Sequence, residues 1–323
     1  MERLENPRHK HHSFHGMITS APQMLTFFET IKRVAATDSA VLIRGESGTG
    51  KELVAQAIHN LGRRSQQAYN TVNCAMLTPE LINSELFGHT KGSFTGAVND
   101  HTGYFEASHK GSLFLDEIAE LPLVAQSRFL RAIQEKTITK VGTTKSKTID
   151  VRLISATHKS LRNLVGQGLF REDLMYRIRV VPIFLPRLTQ RGVDIEILTW
   201  KFIDNFNQGG NRTIKYLSKE AKDAILAYPW PGNIRELRNN IEYAFAIGIG
   251  DTLTVDELTP ELRGETPPGG EHHVTEEELT YEKEERNQII KALNEVAGNK
   301  GLAAEALGIS RSTLWRKMKT LGI

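Results

Sequence analysis

Short, almost unbroken apolar runs alternate with stretches of helical periodicity between residues 40 and 185. AVLIR (40–44), TVNC (71–74), SLFLDE (112–117), VRLISAT (151–157) and VVPIFL (180–185) leave few polar positions to face water. Such runs predict strands buried on both faces, as in a parallel sheet covered by helices. KELVAQAIHNLG (51–62) and LVAQSRFLRAIQEK (123–136) space their apolar residues as helices do. The class that follows is α/β, with residues 14–185 as its first unit.

Past residue 191 the strand signature stops. Residues 194–207, 218–228 (with Ser218 as N-cap) and 233–248 are helical by spacing, and Pro229 and Pro231 part the last two. An all-helical subdomain is expected over 186–260. RGETPPGGEHH (263–273) has prolines, glycines and no apolar period, which places a linker over 261–275. Residues 276–323 read as helical again, a separate all-α domain.

Composition narrows the classes. Of 323 residues 39% are hydrophobic and 24% charged, as in a soluble globular protein. The net charge of +3 is too small to make the whole chain a nucleic-acid binder, so local charge carries the information. One cysteine, Cys74, excludes an internal disulfide framework. No apolar run nears the roughly 18 residues of a membrane span, and the start has no signal-peptide core. A cytoplasmic chain without a membrane partner is expected. Residues 1–13 are polar; His9, His11, His12 and His15 have no carboxylate or cysteine to complete a ligand set. They are read as part of a flexible leader.

GESGTGKE (45–52) follows a strand and opens a helix, the setting a P-loop needs. Gly45, Gly48 and Gly50 let backbone N–H groups turn inward around Glu46, Ser47 and Thr49. Lys51 brings a cation to the phosphates at a helix N-terminus. Glu52 stands where a Ser or Thr hydroxyl for Mg²⁺ is usual. SLFLDE ends in Asp116, placed to hold Mg²⁺ through water, and Glu117, placed to polarise an attacking water. Hydrolysis of a nucleoside triphosphate is the expected chemistry.

Together with ELFGHTKGSFTGA (85–97), FREDLMYR (170–177) and WPGNIREL (230–237), these motifs resemble the AAA+ domain of bacterial sigma-54-dependent activators, the enhancer-binding proteins. The resemblance runs over about 14–260 in the family's order. GSFTGA looks like the family's GAFTGA loop, which other AAA+ ATPases lack. It implies a three-layer αβα P-loop domain with an all-helical lid, binding ATP and Mg²⁺. It also implies roles: Asn73 as the switch partner of the catalytic glutamate, Thr157 and His158 at sensor I, and Arg235 at sensor II. Arg171 and Arg177 would be the arginine fingers that complete a neighbour's site in a ring, by resemblance a hexamer. Gly92, Ser93, Phe94, Thr95, Gly96 and Ala97 would form the loop that touches sigma-54. From the residues alone, Gly92 and Gly96 around Phe94 predict a mobile loop with an aromatic tip.

Three positions depart from the family. His158 replaces the sensor I asparagine and offers one hydrogen-bond donor fewer. LPRLTQR (185–191) replaces Leu-Pro-Pro-Leu-Arg-Glu-Arg near the hinge, and Ser93 stands where alanine is more frequent.

GNKGLAAEALGISRSTLWRKMKTLGI (298–323) reads as helix, turn, helix. Leu302, Ala303, Ala306 and Leu307 form an apolar face, Gly308 permits the turn and Ser310 caps the last helix. Arg311, Arg316, Lys317 and Lys319 load that helix with one-sided charge, as groove binding requires. It resembles the Fis-type domain that closes sigma-54 activators, with Ser310, Arg311, Ser312, Thr313, Arg316, Lys317 and Lys319 toward DNA.

The expectation is therefore an ATP-driven, ring-forming activator that binds enhancer DNA and remodels sigma-54 RNA polymerase to the open complex. The alternative is a DNA-binding regulator of sigma-70 promoters whose AAA+ domain drives nothing. No receiver or sensing domain fits before residue 14, so control by a separate regulatory protein or a related co-activator is expected, unless the chain is a fragment.

Overall fold

The structure is a computed structural model that describes residues 2–7, 10–94, 96–209, 212–265, 292–293 and 300. Residues 1–265 form one compact unit. The chain begins with β1 (Arg3–Glu5), a hairpin of β2 (His12–Phe14) and β3 (Met17–Thr19), and helix α1 (Pro22–Ala35). Strand β4 (Val41–Arg44) leads through the glycine loop into α2 (Lys51–Asn60), followed by β5 (Tyr69–Asn73) and α3 (Pro79–Phe87). After the 88–97 loop come α4 (Tyr104–Ala107), β6 (Ser112–Asp116) and α5 (Leu123–Glu135). A hairpin of β7 (Thr137–Thr139) and β8 (Ser146–Thr148) precedes β9 (Arg152–Thr157). Helices α6 (Leu161–Gly166) and α7 (Glu172–Ile178) and strand β10 (Val181–Phe184) complete the α/β part.

Five strands form a wholly parallel sheet in the order β10-β4-β9-β6-β5. Its strands read as continuous apolar runs because both faces are covered. Val41 and Ile43 pack with Phe28, Ile31 and Ile58 from α1 and α2. Leu42, Leu113 and Leu115 pack on the other side with Phe105, Phe129 and Leu174. That alternation is the period of two of a pleated strand, and all five of the predicted strand residues just named are buried. The three-layer αβα architecture is as expected.

The lid contains α8 (Val193–Asn207), β11 (Tyr216–Ser218), α9 (Lys219–Ala227), α10 (Asn233–Ile247) and β12 (Thr252–Leu253). Ser218 caps α9 as expected, its Oγ accepting from the Ala221 N–H at 3.1 Å. Trp230 is 1% exposed within the lid core, and its Nε1 donates to the Ile225 carbonyl at 2.9 Å. Pro229 and Pro231 flank it and stop α9 from running into α10.

Two expectations are corrected. The lid is not all-helical, because β1, β11 and β12 form a three-stranded sheet on it. The first thirteen residues are not a featureless leader: β1 pairs antiparallel with β11, Leu4 opposite Leu217, and β2 pairs with β3. These strands are two or three residues long and carry one or two apolar side chains each. Periodicity has nothing to act on at that length; pairing across the lid supplies what local pattern cannot.

Replacing Trp230 with Ala should destabilise residues 1–265 by about 3–5 kcal/mol. Ser218→Ala should cost about 1 kcal/mol. Urea unfolding of the two variants checks the order as well as the size.

Candidate functional site

Parallel strands deliver their C-terminal ends to one edge of a sheet, where ligands of α/β proteins bind. Arg44 is level with Thr157, and Asn73 with Asp116, so four strands finish together there. The Gly45–Gly50 loop leaves β4 at this edge. Gly48 and Gly50 have φ of 75° and 100°, the left-handed region that favours glycine. The loop is stitched internally: Gly45 N–H donates to the Thr157 carbonyl at 3.4 Å, and the Thr49 hydroxyl to the Glu46 carbonyl at 2.8 Å. Gly50 is the N-cap of α2, so the helix's unpaired N–H groups open onto the loop.

Lys51 is buried, and its Nζ donates to the carbonyls of Gly45 and Glu46 at 3.0 and 3.1 Å. The same Nζ lies 3.6 Å from Glu117 Oε1. Asp116 ends β6 just before Glu117, with Oδ1 accepting from the Glu117 N–H at 3.0 Å. Burial pushes the Asp116 carboxyl above the usual carboxylate range, and the adjacent Glu117 charge adds to this; Lys51 opposes both. Mg²⁺ needs one or two carboxylates together with phosphate oxygens and water. Asp116 supplies one, with Oδ2 free of hydrogen bonds among the described residues. The Thr49 hydroxyl is turned to Glu46, and Glu52 is exposed on α2. The donor set therefore suits a cation held by one carboxylate and the nucleotide itself.

Glu117 adopts φ 49° on the turn after β6. Its Oε2 lies 2.8 Å from His158 Nδ1, and accepts from the His158 N–H at 3.4 Å and the Thr157 hydroxyl at 3.5 Å. Asn73 does not reach it: its Oδ1 accepts from the Ala75 N–H at 2.9 Å, capping the turn at Cys74–Met76. Sensor I and the glutamate are thus joined, and Asn73 and the glutamate are not.

The lid meets the P-loop through more residues than the sequence singled out. Arg235 NH1 donates to Ser47 Oγ at 3.0 Å. Fully buried Asn233 does more. Its Nδ2 donates to Glu46 Oε2 at 3.2 Å and the Ser47 carbonyl at 3.1 Å, while its Oδ1 accepts from the Leu188 N–H at 2.9 Å. Ile234 N–H donates to the Gly48 carbonyl at 3.0 Å. From the hinge, Arg187 pairs with Glu46 at 2.7 Å and Arg191 donates to the Thr49 carbonyl at 3.3 Å. Both arginines of LPRLTQR thus bear directly on the loop. The available signal for Asn233 was its place before Ile-Arg-Glu-Leu; its φ of 52° shows why a residue tolerant of that region sits there.

Arg171 and Arg177 are exposed and make no contact with the P-loop among the described residues. Arg171 forks onto Asp173 at 3.1 and 2.7 Å and reaches Ser127 at 3.3 Å. Arg177 lines a cavity of about 270 Å³ with Asp38, Arg64 and Lys136. In the 88–97 loop, Gly92 and Gly96 have φ of 79° and 106°, and the Gly92 N–H closes the loop on the Ala97 carbonyl at 2.8 Å. Phe94 is 42% exposed, with its ring edge-on to His89 at 4.9 Å, and Ala97 is buried. Ser93 packs against Gly142 of the β7–β8 hairpin, where an added Cβ would come within 2.5 Å of it. Thr95 lies outside the described residues, as do Ser310, Arg311, Ser312, Thr313, Arg316, Lys317 and Lys319.

Three family matches tile this chain. The sigma-54 interaction domain matches residues 17–184, more than half of the 323. The chain belongs to the sigma-54-dependent activators. The AAA+ ATPase lid domain matches 189–275, and the Fis family of bacterial regulatory proteins matches 280–321. The transcriptional regulatory protein ZraR of Salmonella typhimurium is 44% identical over 303 residues, 94% of this chain and 68% of that protein. The regulatory protein AtoC of Escherichia coli K12 is 40% identical over 315 residues, 95% of this chain and 68% of its own. NtrX from Brucella abortus, solved in complex with ATP, aligns at TM-score 0.71 and 36% identity over 95% of this chain and 70% of that one. The chain is thus a transcriptional regulator with an AAA+ ATPase domain and a DNA-binding helix-turn-helix. Among the described residues no helix is long and apolar enough to cross a membrane.

An alanine Cβ at Gly48 would stand 2.2 Å from the Gly232 carbonyl oxygen, at a φ that resists side chains. Gly48→Ala should therefore prise the lid turn from the P-loop and weaken nucleotide binding by about tenfold or more, at about 1–3 kcal/mol of strain. Titration with a fluorescent ATP analogue measures it.

Proposed function

We propose that this chain assembles into a ring, binds enhancer DNA through its Fis-family segment, and uses ATP hydrolysis to remodel sigma-54 RNA polymerase to the open complex. The observation that carries the reading is the meeting of Lys51, Asp116, Glu117 and Arg235 around one P-loop, in a domain that also holds the GSFTGA loop.

The residues divide the work by position. Lys51 and the N–H groups of Gly48–Lys51 bind the β- and γ-phosphates, and Arg235 reaches the same loop from the lid. Asp116 would hold Mg²⁺, which would supply charge neutralisation on the phosphate oxygens. Glu117 orients the attacking water and accepts its proton. Arg171 and Arg177, exposed and away from their own P-loop, serve a neighbouring subunit, so hydrolysis waits for assembly. Arg171 would exchange its Asp173 partner, and Arg177 its solvent, for a phosphate, as a planar guanidinium does well.

Work is delivered through the 88–97 loop. Its base is tied to the β7–β8 hairpin: Thr90 N–H donates to the Val141 carbonyl at 3.0 Å and Val141 N–H to the Gly88 carbonyl at 2.9 Å. That hairpin runs directly into β9, whose end carries Thr157 and His158 beside Glu117. A change at the phosphates thus has a continuous chain of hydrogen-bonded backbone through which to move Phe94 and Thr95 against sigma-54.

The deciding experiment is open-complex formation on a supercoiled enhancer template with sigma-54 polymerase, with and without ATP. Opening that requires ATP supports the reading; hydrolysis without opening points to a regulator whose ATPase drives nothing. Thr95→Ala should keep ATPase within about twofold and abolish opening, consistent with a loop that contacts partner rather than nucleotide. Opening that survives Thr95→Ala would remove the loop from the mechanism.

A further inference from the structure

Glu117 is held by the wrong residue for the role its family resemblance gives Asn73. Among the described residues, the hydrogen bonds to its Oε2 come from the end of β9: His158 Nδ1 at 2.8 Å, His158 N–H at 3.4 Å and the Thr157 hydroxyl at 3.5 Å. Asn73 is spent on its own turn, with Oδ1 on the Ala75 N–H at 2.9 Å. Register keeps it there, level with Asp116 and one residue short of Glu117. We propose that His158 is the positioning residue that latches Glu117, in place of Asn73, and that hydrolysis requires the latch to open.

The chemistry follows from lone pairs. A carboxylate oxygen already engaged by a ring N–H, a backbone N–H and a hydroxyl has no lone pair left to accept from a water. Its partner oxygen faces the Lys51 ammonium at 3.6 Å. Glu117 must therefore leave His158 before it can orient a water. His158 is 37% exposed on its side chain and follows the strand whose carbonyl at Thr157 accepts from Gly45 of the P-loop. It can respond to what the P-loop binds, while Asn73 has no contact with that loop among the described residues. The latch on Glu117 thus sits at the end of β9 rather than at the end of β5.

This inference rests on the ATPase reading above, and the test separates the two. ATP turnover and fluorescent-nucleotide affinity are measured for the full chain and for His158→Ala, His158→Asn and Asn73→Ala. His158→Ala should raise basal kcat about tenfold, the worth of one hydrogen bond to a charged group, with KM and nucleotide affinity little moved. His158→Asn, whose amide nitrogen occupies the place of Nδ1, should return kcat toward the parent value. Asn73→Ala should shift kcat far less than His158→Ala. A fall or no change in kcat for His158→Ala with binding intact overturns the latch, and so does a larger rise in Asn73→Ala. Thermal melts of His158→Ala, Glu117→Gln and the double variant read the contact without turnover. If the parent chain hydrolyses nothing, the ATPase reading fails, and the melts alone decide: coupled losses sustain the contact, additive losses overturn it.

Discussion

Strand register puts Asn73 level with Asp116 and Arg44 level with Thr157, and the geometry of the nucleotide edge follows from that alignment. A shift of one residue in β9 would turn its buried side chains to the opposite face and carry Thr157 away from both Gly45 and Glu117. Both faces of the sheet are apolar and packed, so a slipped register has no solvent-facing side to retreat to. Precision at the P-loop is therefore a property of the core, and only secondarily of the loop's own glycines.

The lid adds a second constraint, polar where the first is apolar. Asn233 spans Glu46, Ser47 and Leu188 from a fully buried position, so each of its polar atoms is matched. Buried amides left unmatched are costly, which makes this joint either closed in one arrangement or open altogether. Asp194 plays a similar part at the other side of the lid, accepting from the Thr19 hydroxyl at 2.6 Å and the Ser20 N–H at 2.8 Å. Such joints suit a lid that moves as one body between defined positions.

Most of this was legible in the chain itself. Strand and helix periods gave the five-stranded sheet and the lid helices, and the spacing of Gly45, Gly50 and Lys51 with Asp116 and Glu117 gave the site. What escaped has a common cause. β1, β11 and β12 are too short to show a period, and they exist because they pair with one another at a distance along the chain, Leu4 with Leu217 and Leu217 with Leu253. Asn233, Arg187 and Arg191 act through tertiary hydrogen bonds that no local pattern announces. The role given to Asn73 by resemblance met a local competitor, the Ala75 N–H two residues on, which a short amide at a strand end reaches more readily than a neighbouring strand's side chain.

The pairing of β1 with β11 means that the polypeptide crosses between lid and core twice. It enters on the lid at Arg3–Glu5, passes through the β2–β3 hairpin into α1, and returns to the lid after Phe184. Residues 6–11 join the first strand to the hairpin, and six residues fully extended reach only about 20 Å. A lid tethered at two points of the chain can part from the core only as far as both tethers reach, so connectivity limits its travel before any ligand arrives.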